Sequence, residues 1–201
     1  MIELLILKNC KLNLENNRIV RKFKVFVVGS AGVGKTTMLI FLTSRKFEPK
    51  LLTIGIDFHS YSCKYKDSVI KLEFWDAGGS KRFRFMIHPY TVNTDAFFLC
   101  YDITNKNTFE DIRYWYNFIK KVEALHDLKI ADTLILIGIK KDLVKRRREV
   151  SKKIAKKLAK DLKIPFFFEV SSKTGRNIDK IIKALMKLLL KKKENMVLTR
   201  F

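Results

Sequence analysis

Gly29-Ser30-Ala31-Gly32-Val33-Gly34-Lys35-Thr36 is the stretch that settles how this 201-residue chain is read. It fits G-x-x-x-x-G-K-[ST] and lies between a strand pattern and a helix pattern. Upstream, residues 23–28 (FKVFVV) alternate loosely and then run apolar, as a buried parallel strand does; downstream, residues 37–47 place apolar side chains at helical spacing. Glycines at 29, 32 and 34 open backbone conformations closed to other residues and turn consecutive N–H groups towards one centre, to which the next helix adds its positive end. An anion fits there. Lys35 reaches outer phosphates as a point charge, and the Thr36 hydroxyl suits the magnesium ion that accompanies a nucleoside triphosphate. A chance glycine-rich turn is the competing reading, and the Lys-Thr pair between a strand and a helix argues against it.

The length suits one domain with a sizeable core: a nucleotide-binding domain over 23–192, an N-terminal extension over 1–22 and a tail over 193–201. No apolar run approaches the ~20 residues that cross a bilayer. The N-terminus is apolar but carries Glu3 where a secretory signal is positive, so no signal peptide is expected. Cys10, Cys63 and Cys100 are odd in number and widely spaced, which points to a reduced, cytoplasmic setting without structural zinc. Charge is the unusual bulk property, with 42 Lys and Arg against 20 Asp and Glu for a formal +22. The basic clusters fall where helices present solvated faces, and no zinc-finger, RRM or KH pattern accompanies them. A basic surface is expected rather than a nucleic-acid interface, with attraction to acidic lipid headgroups as an intermediate possibility.

Along the chain, residues 55–65 and 68–75 read as strands joined by a turn at Lys66-Asp67, and residues 96–101 and 133–137 as short strands buried on both faces. Residues 108–125 have helical spacing with Thr108 or Asn107 as cap. A basic helix over 150–162, a strand over 166–170 and a last helix over 177–192 complete the order. Alternating strands and helices predict an α/β fold: a three-layer nucleotide-binding domain built on a mostly parallel six-stranded sheet with helices on both faces. Ligand loops would stand at the carboxyl ends of the strands.

The other motifs fall at those ends. Asp76-Ala77-Gly78-Gly79 follows one strand, where a carboxylate can hold a metal shell and the Gly79 N–H can meet a terminal phosphate. Thr53 stands in a loop long enough to fold over a phosphate. Lys140-Lys141-Asp142 and Ser171-Ser172-Lys173 follow two more strands. Asp142 suits guanine, because a carboxylate accepts from ring N1–H and exocyclic amine together.

With TIGIDF (53–58), WDAGGSKRFR (75–84), YDITNKNTFEDI (101–112), GIKKDL (138–143) and EVSSKTG (169–175), the chain resembles the Ras-like small GTPases, and within them most the Rab branch. The resemblance covers about residues 23–190 and implies a GTP/GDP-binding switch with magnesium-dependent GTP hydrolysis. It implies a pocket from Ala31, Gly32, Val33, Gly34, Lys35, Thr36 and Thr37 on the loop, with Phe47 against the ring edge. Lys140, Asp142, Leu143, Ser171, Ser172 and Lys173 would hold the base, and Thr36, Thr53 and Asp76 the magnesium. Lys35, Thr53, Gly79 and Ser80 take the positions of the reacting centre. Phe58, Trp75 and Tyr90 match the aromatic triad through which Rab proteins meet effectors, although core packing explains such residues equally well. Exchange factors and GTPase-activating proteins would act on the same loops of a monomer.

Three departures qualify this. Ile139 stands where N-K-x-D has asparagine, which predicts weaker nucleotide binding and faster exchange. Ser80 stands where the family has the glutamine that orients the attacking water, and Ala31 adds a methyl group nearby, so intrinsic hydrolysis is expected to be slow. The C-terminus, NMVLTRF, lacks the cysteines used for prenylation, so no prenyl anchor is expected there. Lys180, Lys183, Lys187 and Lys191 line one side of the last helix, where water or, less expectedly, an acidic membrane would meet them. Two alternatives stay open: a pseudo-GTPase scaffold, favoured by Ile139 and Ser80, and a basic nucleic-acid-binding protein on the same frame.

Overall fold

Alternating apolar residues sort the strands between two cores. In a computed structural model that describes residues 20–65, 68–125 and 131–198, Phe23, Val25 and Val27 face one side of the sheet while Phe26 and Val28 face the other. The strands are β1 (Val20–Val28), β2 (Ile56–Tyr65), β3 (Ser68–Ala77), β4 (Ala96–Asp102), β5 (Leu134–Ile139) and β6 (Phe166–Glu169), in the spatial order β2-β3-β1-β4-β5-β6. Among the described residues the β2–β3 pair alone is antiparallel; β1 pairs in parallel with β3 and β4, and β5 in parallel with β4 and β6. Helices α1 (Lys35–Ser44) and α5 (Ile178–Leu198) cover one face, and α3 (Ile112–Leu125) and α4 (Lys152–Asp161) the other. The predicted three-layer, mostly parallel six-stranded architecture is the one observed.

Several boundaries differ for local reasons. β1 begins at Val20, because β3 is long enough to offer backbone partners as far as Val20↔Val69. The helix expected from 108 is two pieces, a short α2 (Lys106–Glu110) and then α3. Its cap is Asn105, whose side chain accepts from the Asn107 N–H, whereas the Thr108 hydroxyl donates to the Asn105 carbonyl and accepts from the Asp102 N–H. Nothing after Lys192 breaks a helix, and α5 continues to Leu198. A segment with no expected structure, Lys81–Thr91, forms 3₁₀ turns. The expected turn at 66–67, the extension up to residue 19 and the last residues of the tail lie outside the described residues.

Glu169, 4% exposed at the end of β6, bolts the loop after β5 to the sheet. Arg148 donates to its two carboxylate oxygens at 2.7 and 3.0 Å, and Lys141 adds a contact at 3.4 Å. Burial alone would raise the Glu169 carboxyl, but the Arg148 bonds and charge with Lys141 outweigh it and hold it below the usual carboxylate range.

Candidate functional site

The carboxyl ends of β1, β3, β5 and β6 meet around a cavity of about 560 Å³. At one end the backbone makes the site. Gly34 caps α1 at φ 99°, and Gly29 at φ 147° passes so close to β4 that a Cβ there would stand 2.2 Å from the Cys100 carbonyl oxygen. Lys35 is 5% exposed, and its ammonium donates to the Gly29 carbonyl at 2.9 Å and the Ser30 carbonyl at 3.2 Å, so the charge lies folded over the loop. Burial lowers its pKa against the opposing charge of Asp76.

Beside Lys35, three oxygen-bearing side chains converge. Thr36 Oγ1 and Thr53 Oγ1 are 2.6 Å apart, Thr36 also donates to Asp76 Oδ2, and Thr53 Oγ1 lies 3.4 Å from that oxygen. Asp76 is fully buried, its other oxygen has no hydrogen-bond partner, and burial raises its pKa against Lys35 and Thr36. Hydroxyl and carboxylate oxygens with an unsatisfied buried acceptor fit a hard divalent cation such as magnesium. Among the described residues no three His, Cys, Asp or Glu side chains group as ligands, so such an ion would rest mainly on hydroxyls, one carboxylate and its own other ligands.

Gly78 and Gly79 wedge the adjoining loops together. The Gly78 N–H donates to the Gly55 carbonyl at 2.8 Å, and a Cβ on Gly78 would stand 2.6 Å from the Thr53 carbonyl oxygen. A Cβ on Gly79 would stand 2.1 Å from the Gly29 carbonyl oxygen and 2.4 Å from the Ala31 nitrogen. Ser80 follows in extended conformation and lines the cavity with Ala31.

The opposite end is made by side chains. Lys140, in left-handed conformation at φ 67°, donates to the Gly32 carbonyl at 3.0 Å and pairs with Asp102 at 2.7 Å. Asp142 lines the cavity, with Oδ1 held by the Ser171 hydroxyl at 2.7 Å. The Ser172 hydroxyl is buried without a partner, and Phe47, Leu143 and Lys173 border the opening. Ile139 is 2% exposed. It belongs to the α1/α5 core with Ile135 and Ile137, and its Cγ2 would lie 3.3 Å from a Cβ on Gly34. Thr37 accepts from the Lys50 N–H at 3.3 Å and lines the cavity; the Val33 side chain is buried in the core, and Ser171 and Asp76 act from behind the wall.

Three residues escaped the sequence. Asp111, at the end of α2, accepts from the Ser30 hydroxyl and from Arg84 Nη2, both at 2.6 Å. Arg84 is 8% exposed and packs over Tyr114 at 4.3 Å and Trp115 at 4.7 Å, which fastens the 3₁₀ segment to α3. Burial would raise the Asp111 carboxyl, but Ser30 and Arg84 together hold it below its usual value. No local pattern reports a contact between residues 81 positions apart.

A model of the Ras family matches residues 24–191. The chain belongs to the Ras family. It is 38% identical to "Ras-related protein Rab-26" of Bos taurus over 169 residues, 83% of this chain and 63% of that protein. It is 34% identical to Rab-27B of Rattus norvegicus over 185 residues (87% and 82%), and 34% identical to Rab-2B of Dictyostelium discoideum over 174 (86% and 83%). The chain thus spans less than two thirds of the length of the Rab-26 proteins it matches. Within this Rab-like member of the family, Phe58, Trp75 and Tyr90 form one surface: Phe58 meets Trp75 edge-on at 5.9 Å, and Trp75 lies 6.3 Å from Tyr90. Phe58 and Tyr90 are each 49% exposed, which core packing does not explain. Lys24 lies 4.2 Å over the Trp75 ring and donates to the Tyr90 and Val92 carbonyls, fixing the patch to β1.

Proposed function

We propose that this chain is a guanine-nucleotide switch that binds GTP and GDP with magnesium and hydrolyses GTP slowly. The observation that carries the proposal is one cavity with Lys35, Thr36, Thr53 and Gly79 at its phosphate-loop end and Asp142 at the other. Thr36, Thr53 and Asp76 would hold magnesium, which when bound neutralises charge on the phosphate oxygens. Lys35 would exchange its loop carbonyls for phosphate oxygens, and the loop N–H groups would take the rest. Asp142, oriented by Ser171, would accept from guanine N1–H and its amine. Thr53 and Gly79 would follow the γ-phosphate, because the 78–79 dipeptide already packs against both loops.

Hydrolysis transfers the γ-phosphoryl group to water and leaves GDP and inorganic phosphate. Catalysis would rest on positioning and charge. Ser80 is short for holding the attacking water, so the rate would be low until a protein partner supplies that function. Effector, exchange and activating proteins would read the aromatic surface and the exposed apolar side chains of Leu51, Leu52 and Ile54.

Denaturing freshly purified protein and identifying released nucleotide by chromatography, before and after incubation with GTP and magnesium, tests this. Bound GDP, or GTP turned into GDP, is the expected result. Retained GTP would mean a binder that needs a partner for hydrolysis, and protein that cannot be loaded would favour the scaffold. Buried Ile139, which brings a hydrocarbon side chain to the base end, is the observation that favours this second reading.

A further inference from the structure

One helix carries a row of exposed positive charge that no acid answers. Lys153, Lys156, Lys157 and Lys160 are all exposed on α4, opposite the buried Ala155, Leu158 and Ala159. Among the described residues no ion pair reaches them, although lysines on other elements find acids, as in Lys71–Glu73, Lys106–Glu110 and Lys120–Glu123. Asp161, the one acid of α4, makes no ion pair with them. Exposed Lys145 and Arg146 before the helix and Lys163 after it widen the same field. Like charges four apart, at 153/157 and 156/160, repel, so the helix carries a cost that an external polyanion would relieve.

We infer that the exposed face of α4 is a docking surface for an acidic lipid membrane. The helix face offers lysines and no aromatic ring, so it lacks the stacking platforms that single-stranded nucleic acid calls for, and Arg146 lies before the helix rather than on that face. Point charges on long flexible stems suit a mobile layer of anionic headgroups. Ile154 borders the lysines and is 56% exposed, an aliphatic side chain at the level where headgroups meet acyl chains. α4 packs beside β6, at one edge of the sheet, whereas Phe58 and Trp75 lie on β2 and β3 at the other. Five strand spacings of ~4.8 Å separate those edges, so a docked membrane leaves the aromatic surface free. α5 is the poorer candidate: among the described residues none of its apolar side chains is exposed beside Lys180, Lys183 and Lys187 as Ile154 is on α4, and those lysines lie on the other face of the sheet.

The test is flotation of the 201-residue chain with phosphatidylcholine vesicles, with and without about a third phosphatidylserine, at about 0.1 M salt, where charges more than ~10 Å from the surface are screened. Binding only to the acidic vesicles is expected. Combined Lys153→Gln, Lys156→Gln, Lys157→Gln and Lys160→Gln should lower partitioning by on the order of a hundredfold, at about fivefold or less per lysine, without lowering the melting temperature. The same four changes at Lys180, Lys183, Lys187 and Lys191 remove equal charge and should cost less than about fivefold in total. Equal loss from both sets would show that net charge acts without a defined face and would overturn the proposal. So would absence of binding to the acidic vesicles, or α4-dependent binding to RNA tighter than to vesicles. Loading with nucleotide is not required, so the outcome stands apart from that of the nucleotide assay.

Discussion

The two ends of the cavity are built on different principles. At the phosphate-loop end the frame is main chain, Gly29 against Cys100 and Gly79 against Gly29, with Lys35 folded onto two loop carbonyls and the Thr36, Thr53 and Asp76 side chains set against it. At the base end, side chains orient side chains: Ser171 holds Asp142, Asp102 holds Lys140, and Arg148 with Lys141 holds Glu169. Where main chain meets main chain, at Gly29 and Gly79, there is no room for an added atom, whereas contacts between side chains can exchange a member and keep their shape. That asymmetry fits the position of the most consequential departure, Ile139, at the base end, where odd-numbered residues of β5 already point into the apolar core.

Gly79→Ala tests the asymmetry most severely. Its Cβ would displace the Gly29–Ala31 loop, and nucleotide affinity should fall by more than about a hundredfold, with a loss of stability of about 1 to 3 kcal/mol, read by titration and thermal melting. Glu169→Ala at the other end should cost about 3 kcal/mol of stability, because it leaves Arg148 without its carboxylate. Glu169 is held below its usual pKa, so its contribution is full above the unfolded value of about 4.3 and is lost as pH falls through the lowered one. Wild-type stability should therefore decline faster than that of Glu169→Gln below about pH 4 in denaturant titrations.

Ile139→Asn sharpens the comparison, since it should separate binding from folding. Restoring an amide at the base should slow GDP release by about tenfold to a hundredfold, while the nucleotide-free protein loses about 1 to 3 kcal/mol of stability for a buried polar group without a partner. A variant with unchanged release would show that the base end depends on Asp142 and its neighbours alone. The smallest effect is expected from Arg84→Ala, at about 1 to 2 kcal/mol from the lost ion pair and ring contacts. Faster hydrogen exchange confined to residues 81–91 would show that Arg84 fastens this segment to α3; exchange spread over the sheet would contradict it.

The sheet and its helices were legible because β1, β4 and β5 are apolar on both faces and the helices are apolar on one, which is a local pattern. The helix at 106–125 was misjudged where local chemistry competes: Thr108 bonds to the end of β4 instead of capping, and Asn105 takes that role. The loop, Asp76 and Asp142 were legible because each motif stands at the carboxyl end of a strand, Asp76 within the last residues of β3. Ser30, Arg84 and Asp111 were not, because their types are ordinary and only their meeting is unusual.

By itself, the sequence determined the class of fold, the family, the phosphate-binding loop, the excess of basic charge and the departures at Ile139 and Ser80. All of these rest on residue identity and short-range spacing. Tertiary structure alone decided that Asp76 is buried with one oxygen unpaired, that Gly79 touches the Gly29 carbonyl region, and that Arg84 reaches Asp111. It also decided that the lysines of α4 stand free of acids while Phe58, Trp75 and Tyr90 gather at the far edge. Burial, pairing and close approach depend on which distant segments the sheet order brings together, and spacing along the chain does not encode that.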